Sequence, residues 1–276
     1  MKNIKKLAVL FILQLMFFNI TSASHATNSV SGQQQIDQQS MIQDPNILAE
    51  EYVNIGKSFY KLGKYQEAIK NYDLAIKYQS QYPEVYNNKG VAYKKLGKYQ
   101  KAIAAYNIAI KYNPYFASAY NNKGNVLNIL QKYQEAIENF DLALKYNPRY
   151  PEAYYNKGIS LMSLWQYQEA IENFDLAIKY KVNYAYAYNN KCGSLLNLGK
   201  YQEALNTCDI ALKYDPHCVE TYYNKAMSFN ILKKHYEAIE NCDLAIKYDP
   251  SYIGSYLEKG IALRKLGKYK GSNKCI

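Results

Sequence analysis

Residues 117–150 read ASAYNNKGNVLNILQKYQEAIENFDLALKYNPRY. Apolar residues recur at helical spacing over about Ala117–Leu130 and again over about Tyr133–Tyr146, with a short turn between them. Asn147 and Pro148 close the stretch, because proline lacks the amide hydrogen a continuing helix needs. The same text returns every 34 residues, in copies that begin at Ala49, Pro83, Ala117, Pro151, Ala185, Val219 and Ile253. Six copies are complete (49–82, 83–116, 117–150, 151–184, 185–218 and 219–252) and a shortened seventh occupies 253–276. A fixed period of this length marks an array in which each unit buries its apolar face only against its neighbours. The expected fold is therefore all-α, a solenoid of antiparallel helix pairs.

Within the period, positions 4, 8, 20, 24, 27 and 32 hold Tyr86, Gly90, Ala102, Tyr106, Ala109 and Pro114 in repeat 2. Repeat 3 has Tyr120, Gly124, Ala136, Phe140, Ala143 and Pro148 there. This pattern resembles the tetratricopeptide repeat, and the resemblance covers residues 49–276. It implies a right-handed superhelix whose first helices line a concave groove through positions 2, 5, 6, 9, 12 and 13. It also implies a binding role and no catalytic one. Departures are local: position 7 is Lys from repeat 2 onward, and Ser80 and Val182 replace the terminal proline.

Ahead of the array, Lys2, Lys5 and Lys6 precede the apolar run LAVLFILQLMFF (7–18) and small residues around Ala26. This reads as a signal peptide (1–26) cleaved near Ala26, and predicts export to a periplasm or medium, with no membrane span in the mature chain. An uncleaved anchor is the alternative. Residues 27–48, rich in Gln and Ser, read as a disordered linker. Removing the three leader lysines from a net charge of +11 leaves +8. Tyr supplies 32 residues against 8 Phe and 1 Trp, a bias that base composition explains as readily as physical need.

The residues recommend no catalytic centre, metal site or cofactor. His25 lies in the leader, His217 in a repeat junction, and His235 at a position that is Tyr in other copies. Cys192 stands at the small position 8, Cys208 and Cys242 at the aromatic position 24, Cys218 at position 34, and Cys275 near the end. At packing positions without metal-ligand spacing, they are expected to be buried free thiols, with a disulfide as the alternative in an exported chain. Asp at position 25 precedes Lys at 29, as in Asp73–Lys77 and Asp141–Lys145, which predicts solvated i,i+4 pairs. Charge scattered in this way argues against a nucleic-acid partner.

The expected site lies on the first helices. Position 6 is Asn54, Asn88, Asn122, Asn156, Asn190 and Asn224, and position 5 adds Asn87, Asn121 and Asn189. A primary amide donates to a carbonyl and accepts from an N–H, so such a row can hold an extended backbone without reading its side chains. It is similar to the asparagine ladder in the repeat domain of O-GlcNAc transferase, although no glycosyltransferase domain is read here. Asn125, Tyr155, Tyr223, Lys57 and Lys94 complete the site, with lysines in repeats 1 and 2 and apolar residues in the middle. The expected partner is a peptide or protein segment with an apolar centre and an acidic residue toward one end. A heat-shock chaperone clamp is excluded, since position 2 is acidic in Glu50, Glu84, Glu152 and Glu220.

Recent duplication would also copy Asn into each repeat, but position 9 has drifted through Lys57, Val91, Asn125, Ile159, Gly193 and Met227 while position 6 has not. Replacing Asn122, Asn156 and Asn190 by Ala is expected to abolish capture and leave stability nearly intact. The tail KGSNKCI departs from the repeat, and one coding of GSNKCI read one base on gives EAINA, the expected continuation. A frameshifted end that self-associates is therefore one alternative to the scaffold reading. An accessory factor of cell-wall or glycan metabolism is another.

Overall fold

The computed structural model describes residues 44–268. The expected signal peptide, residues 27–43 of the expected linker, Cys275 and the departing tail lie outside the described residues. Among the described residues are thirteen α-helices and no strand. First helices of the repeats are α1 (Pro45–Lys61), α3 (Pro83–Lys95), α5 (Ala117–Ile129), α7 (Pro151–Ser163), α9 (Ala185–Asn197), α11 (Val219–Ile231) and α13 (Ile253–Lys265). Second helices are α2 (Tyr65–Tyr78), α4 (Tyr99–Tyr112), α6 (Tyr133–Tyr146), α8 (Tyr167–Tyr180), α10 (Tyr201–Tyr214) and α12 (His235–Tyr248). Residues 49–268 form an all-α helical-repeat superhelix.

The first helix starts four residues ahead of Ala49. Asp44 accepts the Asn46 backbone N–H at 2.8 Å, and Pro45 has the preset φ that suits a first helical residue. Residues 45–48 of the expected linker are thus helical, because Asp-Pro is a start signal that a Gln/Ser-rich reading overlooks.

Two contacts close each helix pair. The first joins positions 8 and 24. A Cβ built on Gly56, Gly90, Gly124 or Gly158 would fall 2.5–2.6 Å from a ring carbon of Tyr72, Tyr106, Phe140 or Phe174 respectively. Each ring thus fills the space a side chain would take at the glycine, and all four rings are at most 2% exposed. The second joins positions 4 and 30, where two tyrosines meet at ring separations of 5.6–5.8 Å in all six complete repeats, from Tyr52–Tyr78 to Tyr222–Tyr248. In four repeats the position-4 hydroxyl also donates to a carbonyl of the preceding repeat, as Tyr154 does to Pro148. The tyrosine excess therefore has a physical use that composition alone did not reveal.

Repeat 5 corrects the cysteine expectation. Cys192 and Cys208, 16 residues apart, form a disulfide, and both are fully buried. They occupy positions 8 and 24, the pair already in contact wherever glycine meets a ring. A bond closing a loop of this length contributes on the order of 3 kcal/mol. Cys218 and Cys242 are free, with Cys242 buried as expected and Cys218 half-buried. Burial pushes the Cys242 thiol up to about 12, so it is inert at neutral pH.

The charge pairing differs too. Asp at position 25 pairs with the position-7 lysine of the next repeat, not with the lysine four residues on. Lys89–Asp73, Lys157–Asp141, Lys191–Asp175, Lys225–Asp209 and Lys259–Asp243 all close to 2.5–2.6 Å. Stacking brings the next repeat's first helix over the carboxylate, and its lysine is the better-shielded partner. For Lys123 the corresponding position 25 is Asn107, and this pair is lacking.

Candidate functional site

The first helices carry the asparagines, and stacking decides how each is used. Asn122 Nδ2 donates to Asn87 Oδ1 (3.0 Å), Asn156 to Asn121 (3.0 Å) and Asn224 to Asn189 (3.2 Å). Asn190 donates instead to the Tyr155 hydroxyl at 3.1 Å, since position 5 of repeat 4 is tyrosine. The position-6 amides of repeats 3 to 6 are thus anchored on position 5 of the preceding repeat. The asparagine row is in the first place an interhelical hydrogen-bond ladder.

This divides the expected site residues. Asn87, Asn121 and Asn189 are 8%, 5% and 9% exposed, and their carbonyl oxygens are committed to the next repeat. Asn189 Oδ1 also accepts the Thr221 hydroxyl at 2.9 Å. Asn88, Asn122, Asn156, Asn190 and Asn224 are half-buried, and Asn54 is exposed. The carbonyl oxygens of Asn122, Asn156, Asn190 and Asn224 have no partner among the described residues. Position 5 of repeat 1 is Val53, so Asn88 lacks the anchor that the later copies have.

The other expected residues fall on the same helices. Asn125 is half-buried. Tyr155 meets Tyr184 with tilted rings at 4.9 Å, and burial raises its pKa. Tyr223 meets Tyr252 edge-on at 5.4 Å, and burial followed by the nearby Glu258 carboxylate raises its pKa. Ile159 and Met162 pack against the repeat-4 core, and Met227 against that of repeat 5. Lys57 is exposed. Lys94 is half-buried, and burial, then the adjacent Lys95 charge, lowers its pKa. Neither lysine forms an ion pair among the described residues.

Three contributors escaped the sequence reading. Tyr186, at position 2 of repeat 5, is 61% exposed where other copies have mostly glutamate. Asn128 accepts the Ser160 hydroxyl at 2.7 Å, joining repeats 3 and 4. Glu258, where the asparagine row ends, accepts the Asn230 amide at 2.8 Å. The aromatic substitution at an inward position was the one available signal, for Tyr186.

Among the described residues no group of three or more His, Cys, Asp or Glu is placed to hold a metal ion. No helix among them is long and apolar enough to cross a membrane.

Models described as TPR repeat match residues 56–97 and 124–164, and models described as tetratricopeptide repeat match 83–116, 151–184 and 194–253. No curated protein sequence matches significantly. Among solved structures, YrrB, described as a TPR protein with an unusual peptide-binding site, is 24% identical and aligns over 68% of this chain and 97% of its own, with a TM-score of 0.59. The pilF protein of Pseudomonas aeruginosa is 14% identical over 78% of this chain and 98% of its own, with a TM-score of 0.70. MamA from Desulfovibrio magneticus is 20% identical over 63% and 97%, with a TM-score of 0.57.

Proposed function

The chain carries tetratricopeptide repeats, and from that premise we propose that it is a non-enzymatic protein–protein interaction scaffold holding an extended peptide along the first helices of repeats 2 to 6. The observation that carries this reading is the anchored amide row. Each anchor fixes one N–H of a position-6 asparagine and leaves its carbonyl oxygen free, so less rotational freedom is lost when a peptide N–H binds. Main-chain recognition of this kind tolerates many side-chain sequences. Half-buried Ile159, Met162 and Met227 supply an apolar middle for anchoring side chains, with exposed Tyr186 on the first helix of repeat 5. The unpaired Lys57 and Lys94 favour an acidic residue at the repeat-1 end. YrrB, with its peptide-binding site on a similar fold, supports a peptide as the ligand class.

The anchors also change the test. Replacing Asn122 alone by Ala would strand the buried Asn87 carbonyl, at a cost of about 1–3 kcal/mol. Near-intact stability is therefore not expected of the alanine variants. Exchanging both partners, Asn87→Leu with Asn122→Leu, removes the pair without an orphan and should be close to neutral for stability. Selection from a displayed library of random peptides should enrich acidic-ended sequences with an apolar centre. Those peptides should bind the double variant about tenfold or more weakly. Unchanged affinity in a folded double variant, or no enrichment at all, defeats the reading.

A further inference from the structure

Positions 8 and 24 meet in repeats 1 to 5, by two different means. Repeats 1 to 4 lay a ring on a glycine. Repeat 5 uses the Cys192–Cys208 bond. Repeat 6 has Ala226 and Cys242 at these positions, both fully buried. The helix pair of the fifth repeat, α9 with α10, is therefore the one held at this point by a bond that electrons can break.

We propose that this disulfide is a redox lock on the C-terminal part of the array, and so regulates the groove; only this last step rests on the peptide-binding reading. A dithiol reductant would deliver two electrons and two protons, leaving the Cys192 and Cys208 thiols and the reductant's own disulfide. Two buried sulfurs then need non-bonded separation where a bond stood, and no ring is present to fill the contact. Either the thiols turn or α9 and α10 part.

Repeat 5 is also where the ladder links its neighbours. Asn190 reaches back to Tyr155, and Asn189 accepts from Thr221 and Asn224 of repeat 6. Loosening α9 therefore unfastens both junctions, while repeats 1 to 4 keep their rings. The lock is insulated from accidental exchange. Its sulfurs are fully buried, and burial raises both remaining described thiols, Cys218 and Cys242, so neither is a ready nucleophile.

Hydrogen exchange of the full chain, before and after dithiothreitol has reduced the bond (counted as free thiols) and with no partner present, tests the lock apart from any peptide binding. Reduction should speed amide exchange in 185–248 by about tenfold or more and leave 83–163 unchanged. The double variant Cys192→Gly with Cys208→Phe rebuilds the ring-on-glycine contact and should be protected in either condition. If it does not fold, Cys192→Ala with Cys208→Ala serves in its place, and should exchange like the reduced chain in either condition. Unchanged protection of 185–214 on reduction overturns the proposal. So does acceleration spread evenly over all repeats, or dithiothreitol sensitivity that persists in a variant lacking both cysteines.

Discussion

Trp165 sits at φ 65°, a left-handed conformation that costs a bulky residue roughly 1–2 kcal/mol. Gly63, Gly97, Gly199 and Gly267 occupy the same turn position at φ 65–76° without that strain. The indole is also 78% exposed, so little burial offsets the cost. Trp165→Gly should raise stability, by about 1 kcal/mol after the extra chain entropy of glycine is subtracted. A rise in the urea midpoint at unchanged m checks this, and a fall would mean that the edge contact with Tyr167 outweighs the strain. The residue scale also shows what the sequence could disclose about the asparagines. Their presence at position 6 was plain, but their use was not. Asn122 and Asn87 are 35 residues apart, and nothing in a one-dimensional period says which of two neighbouring amides points at which.

Between elements, the same limit applies to charge. Asp at position 25 has one lysine four residues on and another sixteen residues on, and sequence alone favours the nearer. Stacking places the farther one over the carboxylate, on the next repeat's first helix. Lys123 tests the point, because burial holds its ammonium below the ordinary lysine range and Asn107 offers no charge in return. Asn107→Asp should add the missing clasp and stabilise by a few tenths to about 1 kcal/mol at neutral pH. A new carboxylate stabilised by Lys123 would have its folded pKa lowered. Its contribution would be present above the unfolded value near pH 4, and lost as pH falls through the folded pKa. Urea midpoints at pH 7 and pH 3, and at low and high salt, check this; a gain that survives acid and salt would not be electrostatic. The disulfide was missed for a related reason. Cys192 and Cys208 were each placed at the right position of the repeat, yet the contact between those positions was not used.

For the whole molecule, the six tyrosine pairs and the four ring-on-glycine contacts recur at a fixed interval, so neighbouring repeats support one another through like contacts. Burial also raises the pKa of many phenols in the array. Burial raises Tyr60, Tyr155 and Tyr223, and pushes Tyr72 up to about 12. A phenol whose folded pKa is raised contributes stability that is complete below the unfolded value near 10. That contribution is lost as pH rises through the folded value. The array should therefore unfold between pH 10 and about 12, as Tyr72 and its like ionise. Circular dichroism should fall together with the rise of phenolate absorbance from the buried rings, and helicity that persists to pH 12 would contradict this.

The sequence by itself determined the period, the helix pairs, the packing positions and the helices on which the candidate site lies. These depend on spacing along one chain, and spacing is what a sequence records. Tertiary structure alone decided that Asn122 leans on Asn87, that Lys157 crosses to Asp141, and that Cys192 meets Cys208. Each such pair joins residues 16 or 35 apart on different helices, and only the packing of one helix on another chooses among partners that the repeat makes equally available.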